Sequence, residues 1–398
     1  MAGADGGTTG TSRVRSVVTV GERIGARPGP QALLRGLLVV GMLYLFLVGV
    51  SLLETGIAGL GAGFQDGLVR EIANPISGLF AGIVLTVLVQ SSSVSTATIV
   101  GLVGAGTLDV GLAVPMIMGA NIGTTVTNTL ASLGSVRRKE EFRRALTAAT
   151  MHDFFNVIAV AFLLPLELLT GAFSRSALWL TTVMRGTEVT LEPGPSRLRT
   201  AVRLPVGIVR DAAAGSAIPE RFSAVLILIL GLGLIFLALV LITRNMRQLV
   251  RGSVERAMNR FVGSGGGTVG ILVGILVTVA VQSSTITTSI LVPLVAAGLL
   301  TARSAYPITI GANVGTTVTA LIASLAVTQP AGLTIALVHT LFNVTALAVM
   351  FPIRAVRDVP IRMAEAFAGV AVRYPTLVAA YLLGLFLVIP VIGIFLIP

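Results

Sequence analysis

The chain has 398 residues, 54% hydrophobic and 11% charged, with a mean hydropathy of +0.95. This composition excludes a soluble globular domain and indicates an all-α polytopic membrane protein. The net charge of +11 comes almost wholly from arginines beside apolar segments, which favours the positive-inside rule over a nucleic-acid-binding surface. The absence of cysteine excludes disulfides and thiolate metal sites.

The chain begins with residues 1–30, which are rich in Gly, Thr and Arg and contain no apolar core. We predict a disordered cytoplasmic tail there and not a signal peptide. Arginines in the tail and at the membrane edge place the N-terminus inside the cell.

Seven segments are long and apolar enough to cross about 30 Å of hydrocarbon. They are residues 33–53, 110–132, 145–169, 222–243, 305–327, 331–352 and 375–397. Arginine-rich segments follow the second, fourth and sixth spans, so these segments are expected in the cytoplasm.

Two further segments, 78–106 and 267–300, are apolar at both ends and polar in the middle. Each apolar half covers only about 20 Å at about 1.5 Å per residue, which is too short to cross a bilayer. We predict that each segment is a re-entrant hairpin, with two short helices meeting at a polar tip that faces protein or water. A pair of full spans remains an open alternative and leaves the remaining topology unchanged.

The polar tips belong to an internal repeat. Both Gln90 and Asn121 recur 192 residues further on, as Gln282 and Asn313, since 282 − 90 and 313 − 121 are equal. About half of the positions between 90 and 131 match their partners at this offset without a gap. The fold therefore contains two copies of one unit.

The order of segments predicts the domain organisation. Each repeat is a span, a re-entrant hairpin and two spans, covering 31–170 and 222–352. Residues 171–221 form an inter-repeat loop expected outside the cell, and 353–398 hold a cytoplasmic loop and a C-terminal span. Three crossings separate the hairpins, so the two repeats are inverted, which is typical of secondary transporters.

The hairpin tips are candidate anion sites. Helix N-termini carry free N–H groups and partial positive charge, and hydroxyl side chains add further donors. The candidate residues are Gln90, Ser91, Ser92 and Ser93 at the first tip and Gln282, Ser283, Ser284 and Thr285 at the second. The alternative is that these polar side chains only hold helices together.

The segment Gly-Ala-Asn-x-Gly-Thr-Thr occurs at 119–125 and again at 311–317. Its glycines would let a span unwind, and carbonyl, Asn and Thr oxygens are hard ligands suited to a cation such as Na⁺. The alternative is close helix packing through Gly and Ala.

The third motif is His152-Asp153-Phe154-Phe155-Asn156, matched by His339-Thr340-Leu341-Phe342-Asn343. The histidines are a poor metal-ligand set, and a structural hydrogen bond between helices is the favoured interpretation for them. Asp153 is the one carboxylate expected deep in a span, which makes it a functional candidate. A buried ion pair is the alternative for that side chain.

These motifs resemble those of the type II sodium-dependent phosphate cotransporters, the solute carrier 34 family, and their bacterial relatives. The resemblance covers about 74–170 and 259–397 and rests on Val-Gln-Ser-Ser-Ser at 89–93, Gly-Ala-Asn-Ile-Gly-Thr at 119–124, His-Asp-Phe-Phe-Asn at 152–156 and Ala-Tyr-Pro at 305–307. It implies Na⁺-coupled uptake of inorganic phosphate, with the two hairpins forming the substrate site.

The resemblance also bears on charge movement. Electrogenic members carry Ala-x-Ala-x-x-x-Asp, which Ala149 and Asp153 match while Thr147 departs from it; Thr285 likewise replaces the family's third Ser. Animal members have a glycosylated, disulfide-linked loop between the units, whereas 171–221 contains neither Cys nor Asn. A multi-pass protein of a bacterial inner membrane is therefore expected.

We thus expect an electrogenic Na⁺/phosphate symporter working by alternating access, with Na⁺ as coupling ion, no cofactor and no enzymatic activity. Its partners would be phosphate, Na⁺ and the bilayer; no nucleic acid is expected, and a homodimer is compatible with the sequence. The sodium residues would be Asn121, Thr124, Thr125, Asp153 and Asn156, with Asn313, Thr316, Thr317 and Asn343 as their partners. Alternatives are a Na⁺-coupled symporter of dicarboxylate or sulfate, a channel, or a membrane enzyme.

Overall fold

The computed structural model describes residues 30–61, 74–186, 197–264, 267–327 and 329–396. These residues are predominantly helical, and no strand occurs among them. The predicted tail, 1–30, lies outside the described residues except for its last position.

The helices of the first half are α1 (Pro30–Gly59), α2 (Pro75–Val89), α3 (Ser92–Gly104), α4 (Val110–Gly123), α5 (Val126–Ser132), α6 (Lys139–Thr170), α7 (Ala172–Gly186) and α8 (Arg197–Ala214). A short 3₁₀ turn, Leu133–Ser135, follows α5.

The helices of the second half are α9 (Glu220–Ser264), α10 (Gly267–Val281), α11 (Ser284–Ala296), α12 (Ala302–Ser324), α13 (Pro330–Met350), α14 (Arg354–Ala371), α15 (Thr376–Leu383) and α16 (Ile389–Leu396). A π-helical turn, Gly384–Val388, joins α15 to α16, so that the two form one long element.

Seven helices of the described ranges are long and apolar enough to cross a membrane, which confirms the predicted number. They are Gly36–Gly59, Val110–Ser135, Lys139–Thr170, Glu220–Asn245, Ala302–Ser324, Pro330–Met350 and Thr376–Leu396. The third begins at Lys139, well before the predicted 145, because Glu140 and Glu141 favour a helix N-terminus and Phe142 is buried.

Two pairs of short helices, α2 with α3 and α10 with α11, lie at the segments predicted as hairpins. Their 15-residue and 13-residue helices are about 22 and 20 Å long, well short of a bilayer. Helix α2 starts at Pro75 behind Asn74, whose Oδ1 accepts hydrogen bonds from the backbone N–H groups of Ile76 and Ser77, both at 2.9 Å.

Each pair packs on the following span by the same contact. Helix α2 lies against α4 through Gly82 and Gly119, and α10 lies against α12 through Gly274 and Gly311, which are the same positions 192 residues later. At all four glycines a Cβ would meet the backbone of the neighbouring helix. The repeated glycines therefore let two helix backbones touch.

The segments predicted as loops are 171–221 and the start of 353–398. Each contains a helix that packs on a helix of the other half of the chain. Helix α7 packs on α13, where the rings of Phe173 and Phe342 lie 6.2 Å apart. Helix α14 packs on α6, where Phe154 and Phe367 lie 6.3 Å apart. The amphipathic helix that follows each repeat thus covers the last span of the other repeat.

Helices α1 and α9 form the longest helix contact, and glycines bring them together. A Cβ on Gly231 would lie 2.5 Å from the backbone nitrogen of Leu53, and one on Gly56 would lie 2.5 Å from that of Leu228. Neither backbone atom can move aside without separating the helices.

We expect Gly231→Ala to lower the apparent melting temperature of the detergent-solubilised protein by several degrees, because the new methyl group forces α1 and α9 apart. The measurement is helical circular dichroism during heating. Gly233→Ala is the matched control, since nothing lies within 4 Å of its Cβ and Ala favours a helix by about 1 kcal/mol. Equal melting of the two variants would contradict the packing role of Gly231.

Candidate functional site

The two helix breaks share an unusual backbone conformation. Gln90 and Gln282 both have φ 56°, and among the described residues they are the only non-glycine residues with positive φ. This left-handed conformation costs about 1–3 kcal/mol for a residue with a Cβ. Two equivalent residues that share the same strain indicate a constraint imposed by the tip itself.

Side-chain hydrogen bonds hold the two glutamines in place. The Oε1 atom of Gln90 accepts from the Thr127 hydroxyl at 2.8 Å, and that of Gln282 accepts from Thr319 at 2.9 Å. Each amide nitrogen donates to a carbonyl in the last turn of the preceding helix, Val87 or Val279. The amides are therefore engaged within the protein.

Sequence reasoning did not assign Thr127 and Thr319 to the tips. They are themselves 192 residues apart and continue the repeated Gly-Ala-Asn-x-Gly-Thr-Thr motif as Val-Thr. This extension of the repeat could have identified both threonines from the sequence.

A serine caps the helix after each break. Ser91 accepts a hydrogen bond from the backbone N–H of Val94, and Ser283 accepts one from Ile286, both at 3.3 Å. The first N–H groups of α3 and α11 have no acceptor within their own helices. Each tip thus presents backbone donors and the positive end of a helix dipole.

The tips of the two halves are in contact. The Ser93 hydroxyl donates to the backbone carbonyl of Gln282 at 3.1 Å, and both side chains are buried. Gln90, in contrast, is exposed. The predicted substrate residues of the two copies are therefore brought to one place, but the first tip is more accessible than the second.

A second contact between the halves joins α5 to α11. The Asn128 amide donates to the Thr288 hydroxyl at 2.6 Å and accepts from Ser289 at 2.9 Å. Asn128 was not predicted as a site residue, because Ala320 stands at the equivalent position and the repeat gives no signal.

A chain of buried amides links α4, α6 and α12. Asn156 donates to the backbone carbonyl of Asn121 at 2.9 Å, and its Oδ1 accepts from Asn313 at 2.6 Å. The Oδ1 of Asn313 then faces Nε2 of His152 at 2.7 Å. Because a backbone carbonyl can only accept, the orientation of every amide follows and Nε2 of His152 carries a proton.

His152 thus makes the interhelical hydrogen bond expected of a structural histidine. The second copy does not repeat the chain. Both ring nitrogens of His339 and the Oδ1 of Asn343 are buried without a partner in the described part of the chain, and the Asn343 amide donates to the backbone carbonyl of His339 at 3.0 Å. The two repeats therefore differ in their polar interiors.

Asp153 is fully buried on α6. Its Oδ2 accepts from the Tyr381 hydroxyl at 2.9 Å and from the Thr129 hydroxyl at 3.3 Å. Its Oδ1 has no hydrogen-bond partner, and no arginine or lysine of the described ranges forms an ion pair with it. The described residues therefore give no support to the ion-pair alternative for this side chain.

The remaining sodium candidates form hydrogen bonds with nearby residues of the chain. The side chains concerned are those of Asn121, Thr124, Thr125, Thr316 and Thr317, each donating to a carbonyl three or four residues earlier. Thr124 and Thr125 lie at a turn between α4 and α5, whereas α12 continues through the second motif.

The expectation that the glycines of both motifs unwind a span is thus wrong for the second copy. Gly311 and Gly315 lie in a continuous helix and pack closely on α10. Glycine lets the backbones of two regular helices touch, because it has no Cβ. The alternative of close helix packing therefore describes these residues.

We expect Asn156→Leu and Asn313→Leu each to destabilise the protein by about 1–3 kcal/mol, because each leaves buried amide or imidazole groups without partners. The double variant should lose less than the sum of the two. Denaturant titration in detergent without Na⁺ measures this coupling. Additive losses would contradict the 2.6 Å hydrogen bond between the two amides.

A family profile described as Na⁺/Pi-cotransporter matches residues 45–183 and 234–372. Sodium-dependent phosphate transport protein 2A of Ovis aries is 31% identical over 428 residues, which cover 90% of this chain and 67% of the relative. Protein 2A of Rattus norvegicus is 32% identical over 426 residues with the same coverage, and protein 2B of Homo sapiens is 29% identical over 447 residues, covering 90% and 65%. No solved structure matches significantly. The chain belongs to the Na⁺/Pi-cotransporter family.

Proposed function

We propose that this protein is an electrogenic Na⁺-coupled symporter of inorganic phosphate that works by alternating access. Family membership and the names of the related proteins support the substrate, the coupling ion and transport rather than catalysis. The single observation that carries the site is the contact between Ser93 and the backbone of Gln282, where two broken helix pairs from different halves meet.

The tips suit a small oxyanion that must also be released. Phosphate would be bound by the free N–H groups at the starts of α3 and α11 and by the hydroxyls of Ser91, Ser92, Ser93, Ser283, Ser284 and Thr285. No arginine or lysine lies in either helix pair. Gln90 and Gln282 would shape the tips, since their amides are already hydrogen-bonded to the protein.

Sodium would bind near Asp153 and the repeated Asn and Thr side chains. The Oδ1 of Asp153 is buried and has no hydrogen-bond partner among the described residues, which supports a cation there. The proposed sodium residues are Asn121, Thr124, Thr125, Asp153, Asn156, Asn313, Thr316, Thr317 and Asn343. Sodium bound first would offset the charge of phosphate and favour the state that binds it.

Alternating access is supported by differences between the equivalent residues. Gln90 is exposed and Gln282 buried, and His152 is bonded to Asn313 while His339 has no partner in the described residues. Two inverted repeats would differ in this way in a conformation that is open to one side of the membrane only. In the other state we expect the roles of the two units to be exchanged.

The proposed transport mechanism implies a membrane topology. The two repeats, 31–170 and 222–352, would be inverted, with 78–106 and 267–300 re-entering the membrane as hairpins. The N-terminus would be cytoplasmic, segment 171–221 outside, and the protein in a bacterial inner membrane. Seven apolar helices support a multi-pass membrane protein.

We expect phosphate uptake into proteoliposomes under an inward Na⁺ gradient and little uptake under K⁺ or a pH gradient alone. Gln90→Ala and Gln282→Ala should each lower the rate about tenfold or more, because the tip loses the side chain that holds it. Gln329→Ala, at an exposed glutamine away from the tips, should keep the normal rate. Competition by sulfate or succinate but not arsenate would support the alternative anion symporter, and uptake indifferent to Na⁺ would refute the coupling.

We expect Asp153→Gly to reduce the charge moved per phosphate while leaving some uptake, because a buried carboxylate is removed from the sodium site. Current on a solid-supported membrane, divided by labelled phosphate uptake, measures this ratio. Thr340→Gly places the same helix-weakening residue at the equivalent position of the second unit and should not change the ratio. If Asp153→Gly leaves the charge moved per phosphate unchanged, the proposed role of Asp153 in the sodium site is wrong.

A further inference from the structure

Tyr381 is the one described residue outside the two predicted repeats with a side-chain hydrogen bond to the buried carboxylate of Asp153. It lies on α15, in the C-terminal span, 228 residues after Asp153, and its hydroxyl donates to Oδ2 at 2.9 Å. The same span packs on α2 at its other end, where Gly393 touches the ring of Phe80. The last span therefore connects the carboxylate to the first helix pair.

Aromatic rings fix the position of this phenol. The centroid of Phe367 lies 4.7 Å from that of Tyr381, and those of Phe386 and Phe154 lie 5.8 and 6.3 Å away. Phe386 belongs to the π-helical turn that follows α15, a distortion often found at functional sites. A ring enclosed on several sides has few rotamers, so its hydroxyl is held towards Asp153.

The two oxygens of Asp153 differ as a result. Oδ2 accepts from Tyr381 and Thr129, whereas Oδ1 is buried and has no hydrogen-bond partner in the part of the chain that the structure describes. Carboxylates that bind cations are commonly oriented by hydrogen bonds to neighbouring side chains, and losing such a partner typically weakens cation affinity about 10–100-fold.

We infer that Tyr381 is a positioning residue of the sodium site: it holds Oδ2 of Asp153 so that Oδ1 faces the cation. This inference rests on the sodium role proposed above for Asp153. Tyr381 does not itself bind the ion or the anion. Its hydrogen bond reduces the orientational freedom that Asp153 would otherwise lose when Na⁺ binds.

The test is Tyr381→Phe, which removes the hydroxyl and keeps the ring packing against Phe367 and Phe386. We expect the Na⁺ concentration for half-maximal phosphate uptake to rise about tenfold, with the rate at saturating Na⁺ near that of the wild type. In an Asp153→Gly background, the same change should have no further effect on Na⁺ dependence. Tyr306→Phe is the matched control, because the Tyr306 hydroxyl is buried without a partner in the described residues.

A second readout separates this inference from the proposed function. The Na⁺-dependent rise in melting temperature of the purified protein, measured in NaCl against choline chloride without phosphate, needs no transport. A rise in the wild type and in Tyr306→Phe that shifts to higher Na⁺ in Tyr381→Phe supports the positioning role, even if phosphate proves not to be the substrate. A Na⁺ dependence in Tyr381→Phe equal to the wild type overturns it, as does the absence of any Na⁺ effect in the wild type.

Discussion

Where a helix of a membrane protein is interrupted within the bundle, the N–H and C=O groups at the break need new hydrogen-bond partners. This constraint determines the structure at the centre of the protein. At the first break, Gln90 adopts a left-handed conformation, its amide bonds to Thr127, and Ser91 caps the next helix. The second break repeats this arrangement. The groups that remain free are the N–H donors at a helix start, so the arrangement that stabilises the break also provides the donors of the proposed anion site.

The two halves share a scaffold but not a polar interior. The glycine contacts between α2 and α4 recur between α10 and α12, so close backbone packing is common to both. The polar residues diverge: Asp153 corresponds to Thr340, and Asn128 to Ala320. Equivalent helices therefore offer different buried polar groups at these positions.

Much of the fold was predictable, because hydropathy and internal repeats are properties of the sequence and need no knowledge of tertiary contacts. The seven apolar helices and the positions of both breaks follow from segment length and from the repeated Gln-Ser-Ser. Helices α7 and α14 were missed, because the arginines in both, and the prolines that follow α7, indicated loops. Phe173 and Ala177 are nevertheless spaced as on one helix face. Unwinding was predicted for Gly311, yet the packing of α10 keeps that segment helical.

The sequence by itself determined which segments are apolar helices, where they are interrupted and which polar residues occur twice, since each of these depends on neighbours along the chain. Only the tertiary structure decided which of those polar residues meet. The Ser93 hydroxyl reaches the backbone of Gln282, and the Tyr381 hydroxyl reaches Asp153 from 228 residues away. Such contacts depend on how far each helix is rotated and how closely it packs on the next, and no local pattern encodes that geometry.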